Sequence, residues 1–187
     1  MKEFGRTALV FLVFTVLTGF IYPFAMTELT HWIFPKQAEG NLITNGNKVV
    51  GSSLIGQKFV ASRYLHGRPS ANSYDATNSG GANFGPDIGK LLADVNSRAD
   101  LIRQENNLKP TDHVPADLVL ASASGLDPHI SFEGAFLQAR RIAKARQMTE
   151  DEVKHLIEGM TENQGLFGPK RVNVLAVNLA LDSLKDR

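Results

Sequence analysis

The chain has 187 residues, 43% apolar and 21% charged, which allows one ordinary hydrophobic core and excludes a disordered or repetitive protein. It has no cysteine, which excludes a disulfide framework, a thiolate zinc site and a cysteine nucleophile. The net charge is +1, and because Lys2 and Arg6 outweigh Glu3, the rest of the chain is neutral, which argues against a nucleic-acid surface.

The first predicted element is a membrane anchor. Between Arg6 and Glu28 lie 21 uncharged residues, TALVFLVFTVLTGFIYPFAMT, which as a helix span about 31 Å, the thickness of a bilayer core. Their Leu, Ile, Val and Phe side chains favour insertion by roughly 3 to 7 kcal/mol. A cleaved signal peptide and a soluble core helix are the alternatives, but the apolar stretch is long for a signal peptide. We predict a cytoplasmic tail at residues 1–6, a transmembrane helix at 7–29 and an interfacial linker at 30–39.

The basic residues around this helix predict its orientation. Lys2 and Arg6 precede it, whereas Lys36 is the only Lys or Arg within ten residues after it. Because basic residues favour the cytoplasmic side, the N-terminus is expected inside and the rest of the chain outside, in a single-pass protein of the inner (plasma) membrane. Trp32 and Phe34 lie at the exit of the helix, where aromatic rings prefer the headgroup layer.

Residues 40–187 have the pattern of one compact extracytoplasmic domain of the α+β class. Asn45-Gly46 separates two short extended runs and predicts a β-hairpin, because this pair accepts positive φ. Apolar side chains at spacings of three and four, Leu92 and Leu184 among them, predict inward-facing helical stripes. Four helices are predicted: 87 to about 105, 132 to about 147 with Ser131 as N-cap, one opened by a capping box at 149–152, and 173 to about 184.

We predict no catalytic residue. Gly89-Lys90 lacks the first glycine and the hydroxyl residue of a phosphate-binding loop. Ser124, Asp127 and His129 lie close together, but hydrolase triads are assembled from distant segments, so a turn at Asp127 leading to the Ser131 cap is the favoured interpretation. The five histidines show no paired ligand spacing, and no metal site is predicted.

Residues 66–86, HGRPSANSYDATNSGGANFGP, predict a long irregular loop. Long loops in compact domains are usually functional surfaces or disordered, and docking to a partner is the economical function for a loop without catalytic groups. For Arg68 the alternative is a structural role, because such a loop leaves many carbonyls without partners. Asp75 is also expected to brace the loop through side-chain bonds to its backbone. The predicted docking residues are Tyr64, His66, Arg68, Tyr74, Asp75 and Phe84.

Six motifs carry a resemblance to a known family. In order, they are GSSLIGQKF, YLHGRPSA, YDATNSGGANFGP, VPADLVLASASGLDPHIS, QARRIAKAR and RVNVLAVNLALD. Together they resemble the C subunit of the Kdp potassium-transporting P-type ATPase. The resemblance covers nearly the whole chain, and several motifs of eight or more residues in the same order are highly specific.

The resemblance implies a non-catalytic, single-span subunit of a membrane complex. Its partners would be a channel-like potassium-selecting subunit, an ATP-hydrolysing subunit and a small stabilising subunit, and the complex, not this chain, would handle ATP and potassium. The family is described as a catalytic chaperone that raises the ATP affinity of the hydrolysing subunit, with a helix glutamine implicated. Gln138 is the position that fits, and the alternative for it is a structural hydrogen bond at a helix edge.

The predicted membrane orientation places this domain on the side opposite cytoplasmic ATP. If the domain lies outside, any effect on ATP affinity must be transmitted through the complex as a coupling free energy, typically about 1 to 3 kcal/mol. A membrane-anchored extracytoplasmic binding module and an anchored hydrolase are the alternative functions.

Overall fold

A computed structural model of the protein describes residues 2–85, 88–163, 165 and 168–185. Pro86, the last residue of the predicted loop, and residue 87, the predicted start of a helix, lie outside the described residues. The chain forms two compact units, the first ending at Val50 and the second beginning at Gly51.

The first unit begins with one long apolar helix. Lys2–Ile33 is the one helix of the described chain that is long and apolar enough to cross a membrane, and all its residues are exposed within the protein. It contains the predicted span and continues through the first four residues of the predicted linker. Its parts are α1 (Lys2–Val16), a π-helical turn (Leu17–Ile21) and α2 (Tyr22–Ile33).

Threonine hydroxyl groups in the middle of this helix bond to its own backbone. The hydroxyl groups of Thr15 and Thr18 donate to the carbonyl oxygens of Phe11 and Phe14, at 2.8 and 2.7 Å. Hydroxyls bonded within their own helix can be placed in hydrocarbon without an unpaired donor. Pro23, which has no N–H to donate, stands in the first turn of α2, directly after the π-helical turn.

The predicted hairpin is present, with its turn one residue later than expected. A short helix, α3 (Pro35–Ala38), precedes strands β1 (Leu42–Asn45) and β2 (Lys48–Ser52). The two-residue turn is therefore Gly46 and Asn47, and Gly46 takes φ of 60°. Asn45 belongs to the strand, so the glycine alone supplies the positive φ.

The second unit confirms the α+β prediction and its four long helices. No helix or strand is present among residues 53–85, which include residues 66–85 of the predicted loop. The elements of this unit are α4 (Ile88–Glu105), α5 (Ala116–Val119), β3 (His129–Ser131), α6 (Phe132–Arg146), α7 (Glu150–Gly159), β4 (Thr161–Asn163), β5 (Lys170–Asn173) and α8 (Val174–Lys185).

A small antiparallel sheet, which the sequence analysis missed, lies at the centre of this unit. Its strand order is β3-β5-β4, and Ile130 of β3 lies opposite Val172 of β5. Both side chains are buried. Strands of three and four residues are too short to show the alternation of apolar and polar residues that predicts a strand.

The core forms where α6 packs on α7 and the sheet. Ala135, Ala139 and Ile142 of α6 are fully buried, as the helical spacing predicts. Two predicted inward positions are wrong: Leu92 of α4 is 54% exposed and Leu184 of α8 is 39% exposed. Each lies toward one end of an amphipathic helix, where the core no longer reaches across the stripe.

The N-cap of α6 depends on one hydroxyl group. Ser131 Oγ accepts a hydrogen bond from Gly134 N at 3.0 Å and donates one to Asp117 Oδ1 at 3.0 Å. Asp117 also accepts from the Ser131 backbone N–H. The predicted cap is therefore confirmed, and Asp117 fixes its orientation.

We expect Ser131→Ala to lower the free energy of unfolding by about 1 to 2 kcal/mol, because it removes the cap and leaves Gly134 N–H without its partner. The measurement is urea unfolding of the full chain in detergent, followed by circular dichroism. Ser97→Ala is the control, because Ser97 is an exposed serine inside α4, where alanine is the better helix former. Equal stabilities of the two variants would contradict the role of the cap.

Candidate functional site

The segment that leads into the predicted loop is held by side chains instead of by a strand or helix. We call residues 62–68 the clamped segment. It is irregular, and Leu65 at its centre is fully buried. Buried backbone N–H and C=O groups need hydrogen-bond partners, and without a neighbouring strand those partners must be side chains.

Two buried amides supply them. Gln138 of α6 accepts from His66 N at 2.8 Å and donates to His66 O at 3.1 Å. Asn178 of α8 accepts from Leu65 N at 2.7 Å and donates to Leu65 O at 3.0 Å. Each amide is only 2% exposed. Side chains from two helices thus pair the backbone N–H and C=O groups of consecutive residues, as a neighbouring strand would in a sheet.

All the hydrogen-bonding capacity of Gln138 is used inside the chain. Besides its two bonds to His66, its Nε2 donates to Gly134 O at 3.1 Å and its Oε1 accepts from Arg141 Nη2 at 2.8 Å. A carboxamide has two donor hydrogens and two acceptor lone pairs. In this conformation Gln138 therefore has no free position for a further hydrogen bond.

Arg141 extends the same network, and the sequence analysis missed it. Its Nη1 donates to the carbonyl oxygens of Ser62 and Tyr64, at 2.7 and 3.1 Å, and its Nε donates to Asn106 Oδ1 at 3.1 Å. Burial lowers the pKa of Arg141, and the nearby Glu105 carboxylate opposes that shift. The helical spacing gave no signal for it, because Arg141 lies on the side of α6 opposite the predicted inward face.

A second cationic contact holds the start of the segment. Arg146 donates to Arg63 O and Leu181 O, both at 2.7 Å, and to Asp182 Oδ1 at 2.8 Å. Asp182 also accepts from Arg63 Nη2 and from the Tyr64 hydroxyl, at 3.1 and 3.0 Å. Burial alone would raise the pKa of Asp182, but the bonds from Arg146, Tyr64 and Arg63 outweigh it and lower the pKa.

The surroundings of His66 lower its pKa. Its ring Nε2 lies 3.1 Å from Ala61 O, and its Nδ1 lies 3.5 Å from Glu105 Oε2. The pKa of His66 is lowered, first by burial and then by the positive charge of Arg141, against the opposing effects of Ala61 and Glu105. A protonated His66 ring would repel the positive charge of Arg141, which bonds the backbone carbonyl groups of Ser62 and Tyr64.

Arg68 and Tyr74 are also turned toward the chain itself. Arg68 Nη1 lies 2.9 Å from Asp127 Oδ2, and the Tyr74 hydroxyl donates to the carbonyl oxygen of Arg68. Burial, and then the charge of Asp127, raises the pKa of Tyr74 to about 12. Four of the predicted docking residues, Tyr64, His66, Arg68 and Tyr74, thus spend polar groups on internal contacts.

The remaining two lie farther along the loop. Asp75 Oδ1 accepts from the backbone N–H and the hydroxyl of Thr77, at 2.9 and 2.7 Å. The ring of Phe84 lies 5.8 Å from the ammonium group of Lys90. The side chain that ties this part of the loop together is Asn72, which donates to the carbonyl oxygens of Asp75 and Asn78.

The residues considered as a triad serve a turn. Asp127 Oδ1 accepts from His129 N at 3.0 Å, as the predicted turn requires. The Ser124 hydroxyl accepts from Leu126 N at 3.1 Å, and the ring of His129 lies between Asp127 and Glu162, at 3.7 and 3.5 Å. The pKa of His129 is lowered by burial and then by Arg171. Within the described residues, no three His, Asp or Glu side chains are grouped to hold a metal ion.

A cavity of about 340 Å³ opens beside the clamped segment, and we call it the α4 pocket. Its walls come from α4, from residues 58–60, and from His66, Arg68 and Tyr74. Concave sites lined by residues with shifted pKa values are candidate binding sites. The α4 pocket is therefore a candidate binding surface of this unit.

Comparisons with known proteins agree with the motif order. The family model described as the c chain of the K⁺-transporting ATPase matches residues 4–183. Potassium-transporting ATPase KdpC subunits are similar over nearly their whole length. That of Rhodopseudomonas palustris (strain BisB18) is 45% identical over 99% of this chain and 100% of its own. That of Mycobacterium bovis (strain BCG / Pasteur 1173P2) is 49% identical, over 92% of this chain and 94% of its own.

The family match over residues 4–183 and the identity over nearly the full length confirm the resemblance seen in the motifs. The chain belongs to the KdpC family, the membrane-associated accessory subunit, not the catalytic subunit, of the potassium-transporting P-type ATPase.

Proposed function

We propose that this chain is a membrane-tethered, non-catalytic subunit that stabilises the Kdp complex and raises the ATP affinity of the hydrolysing subunit during potassium import. The observation that carries the proposal is the exposed apolar helix Lys2–Ile33, attached to a chain that also forms a separate compact unit. The partners are a channel-like subunit, the ATP-hydrolysing subunit and a small stabilising subunit.

The tether supports a role in assembly. Confining a domain to the membrane that holds its partner makes each docking event effectively intramolecular. Modest contacts on the compact unit then suffice for stable association, because the helix has already removed most of the translational freedom. The apolar helix and the compact unit thus divide the work between localisation and recognition.

We place the compact unit on the extracytoplasmic side and its effect on ATP at a distance. Lys2 and Arg6 before the helix, against Lys36 after it, favour a cytoplasmic N-terminus. From outside, the chain can change ATP affinity only by binding one conformation of the complex better than another. The internally saturated side chain of Gln138 supports this indirect action, because it acts on the backbone of the clamped segment.

The orientation is tested by cysteine labelling, for which the cysteine-free chain gives no background. Ser97 and Ser183 are exposed in the second unit, and a side chain at Gly5 meets no neighbour. We expect Ser97→Cys and Ser183→Cys to react with an impermeant maleimide in intact cells. Gly5→Cys should react only after the membrane is permeabilised. Protection of both serine positions in intact cells would exclude the proposed topology.

Assembly is tested by purification of the tagged full chain in mild detergent. We expect it to bring down a multi-span subunit and an ATP-hydrolysing subunit, because the apolar helix and the compact unit both bind the complex. A chain whose apolar helix is replaced by an unrelated transmembrane helix is the control for the part played by the compact unit. Recovery of the wild-type chain alone would contradict the proposal and favour an independent binding module.

The role of Gln138 is tested against Asn178, which makes the same pair of bonds to the adjacent residue. We expect Gln138→Ala and Asn178→Ala each to lower the free energy of unfolding by about 1 to 3 kcal/mol, because each leaves a backbone N–H and C=O unpaired. The measurements are urea unfolding of the full chain and the ATP dependence of hydrolysis by the assembled complex.

Both variants should shift the KM for ATP in the same direction, since both loosen the clamped segment. A change confined to Gln138→Ala, at wild-type stability, would show instead that this side chain acts on the nucleotide site itself.

A further inference from the structure

The ring of His66 lies between two hydrogen-bond acceptors and one cation. Its Nε2 is 3.1 Å from the carbonyl oxygen of Ala61, and its Nδ1 is 3.5 Å from Glu105 Oε2. Arg141 Nη1 lies 3.4 Å from the same Nε2. The two acceptors favour a ring that donates from both nitrogens, whereas the arginine favours a ring without charge.

No neutral form of this ring suits both acceptors, because a neutral imidazole has a single N–H. With the hydrogen on Nε2, the ring donates to Ala61 O and turns a lone pair toward the carboxylate of Glu105. With the hydrogen on Nδ1, the ring faces Glu105 with its donor and turns a lone pair toward Ala61 O. A second ring proton serves both acceptors, but it puts a positive charge beside Arg141.

The arginine beside the ring is also the one that holds the clamped segment. Arg141 Nη1, the atom next to the ring, donates to Ser62 O and Tyr64 O, at 2.7 and 3.1 Å. A charged ring repels this guanidinium group and so opposes both bonds. The charge on the ring and the position of the segment are therefore linked.

Solvent reaches the ring through the α4 pocket, which His66 lines. The His66 side chain is 21% exposed, so that its neighbours act on it strongly while protons still have access. Burial and then Arg141 lower the pKa of His66, against the opposing effects of Ala61 and Glu105. The titratable groups that line the same cavity are Lys58, Arg68, Tyr74, Arg98 and Glu105.

The direction of a pH effect follows from this shift. Because the pKa of His66 in the closed segment is below its ordinary value of 6.5, an opened segment binds the proton more readily. The closed segment therefore keeps its stability above pH 6.5 and loses it as the pH falls from 6.5 through the lowered pKa. Segments of a few residues can open in this way without unfolding of the whole chain.

We propose that His66 makes the clamped segment sensitive to pH: a second ring proton weakens the bonds of Arg141 to Ser62 and Tyr64, and the segment opens. The inference rests on the proposed function, since the extracytoplasmic placement of the compact unit exposes the ring to external pH. Gln138→Ala loosens the same segment, so acid should change the KM for ATP in the same direction as that substitution.

The test is amide hydrogen exchange of the full chain in detergent, followed by NMR. The N–H groups of Leu65 and His66 report on the segment, because Asn178 and Gln138 accept from them. Rates are corrected for the intrinsic effect of pH on exchange. From about pH 7.5 to about pH 5.5, we expect the protection of both groups to fall about fivefold in the wild type and to stay constant in His66→Gln, whose side chain cannot be charged.

Two other histidines and one carboxylate are the controls. His155 is exposed on α7, and His129, whose pKa burial also lowers, lies in β3. His155→Gln and His129→Gln should both keep the wild-type response. Glu105→Gln removes the carboxylate that favours the charged ring, so the response should move to lower pH. This variant retains His66 and therefore tests the proposal even if His66→Gln does not fold.

Three results would overturn the proposal. They are a wild-type response in His66→Gln, loss of the response in either histidine control, and a response that Glu105→Gln leaves in place.

The assembled complex separates this inference from the proposed function. Between about pH 7.5 and about pH 5.5, we expect the KM for ATP to change more with the wild-type chain than with His66→Gln. Equal changes with the two chains would contradict the link between the segment and ATP affinity. If the KM does not depend on the chain at either pH, the proposed function itself fails, and the exchange experiment still decides whether His66 opens the segment.

Discussion

The compact unit depends on hydrogen bonds that amide side chains of two helices make to the backbone of the clamped segment. Leu65 can be fully buried only because Asn178 takes both of its backbone polar groups, and Gln138 does the same for His66. Each unpaired buried group would cost about 1 to 3 kcal/mol, a large share of the stability of a domain this size. The irregular segment thus becomes a fixed part of the core.

Several polar and charged residues in and around the loop also make hydrogen bonds within the chain. Tyr64 bonds Asp182, Arg68 bonds Asp127, and the Tyr74 hydroxyl bonds the Arg68 carbonyl oxygen. Their polar groups bond within the chain, whereas Val60 and Leu101 are exposed apolar side chains.

The sequence predicted what is local and missed what is distant. The apolar anchor, the Ser131 cap and the long helices each depend on residues within a few positions of one another, so their patterns are visible in the chain. The bonds between Gln138 and His66 join residues 72 positions apart, and those between Asn178 and Leu65 join residues 113 apart. No spacing rule connects such positions, and a glutamine that binds backbone looks in sequence like one that binds a ligand.

The shared acceptor at Gln138 restricts how this corner of the protein can evolve. Its Oε1 receives both the His66 N–H and the Arg141 guanidinium, so replacing the glutamine orphans two donors that lie 75 residues apart in the chain. Mutations within such a network are non-additive, because the cost of each depends on the state of the other. Substitutions at positions 138 and 141 should therefore be epistatic: a change at one position should be tolerated better when the other position changes as well.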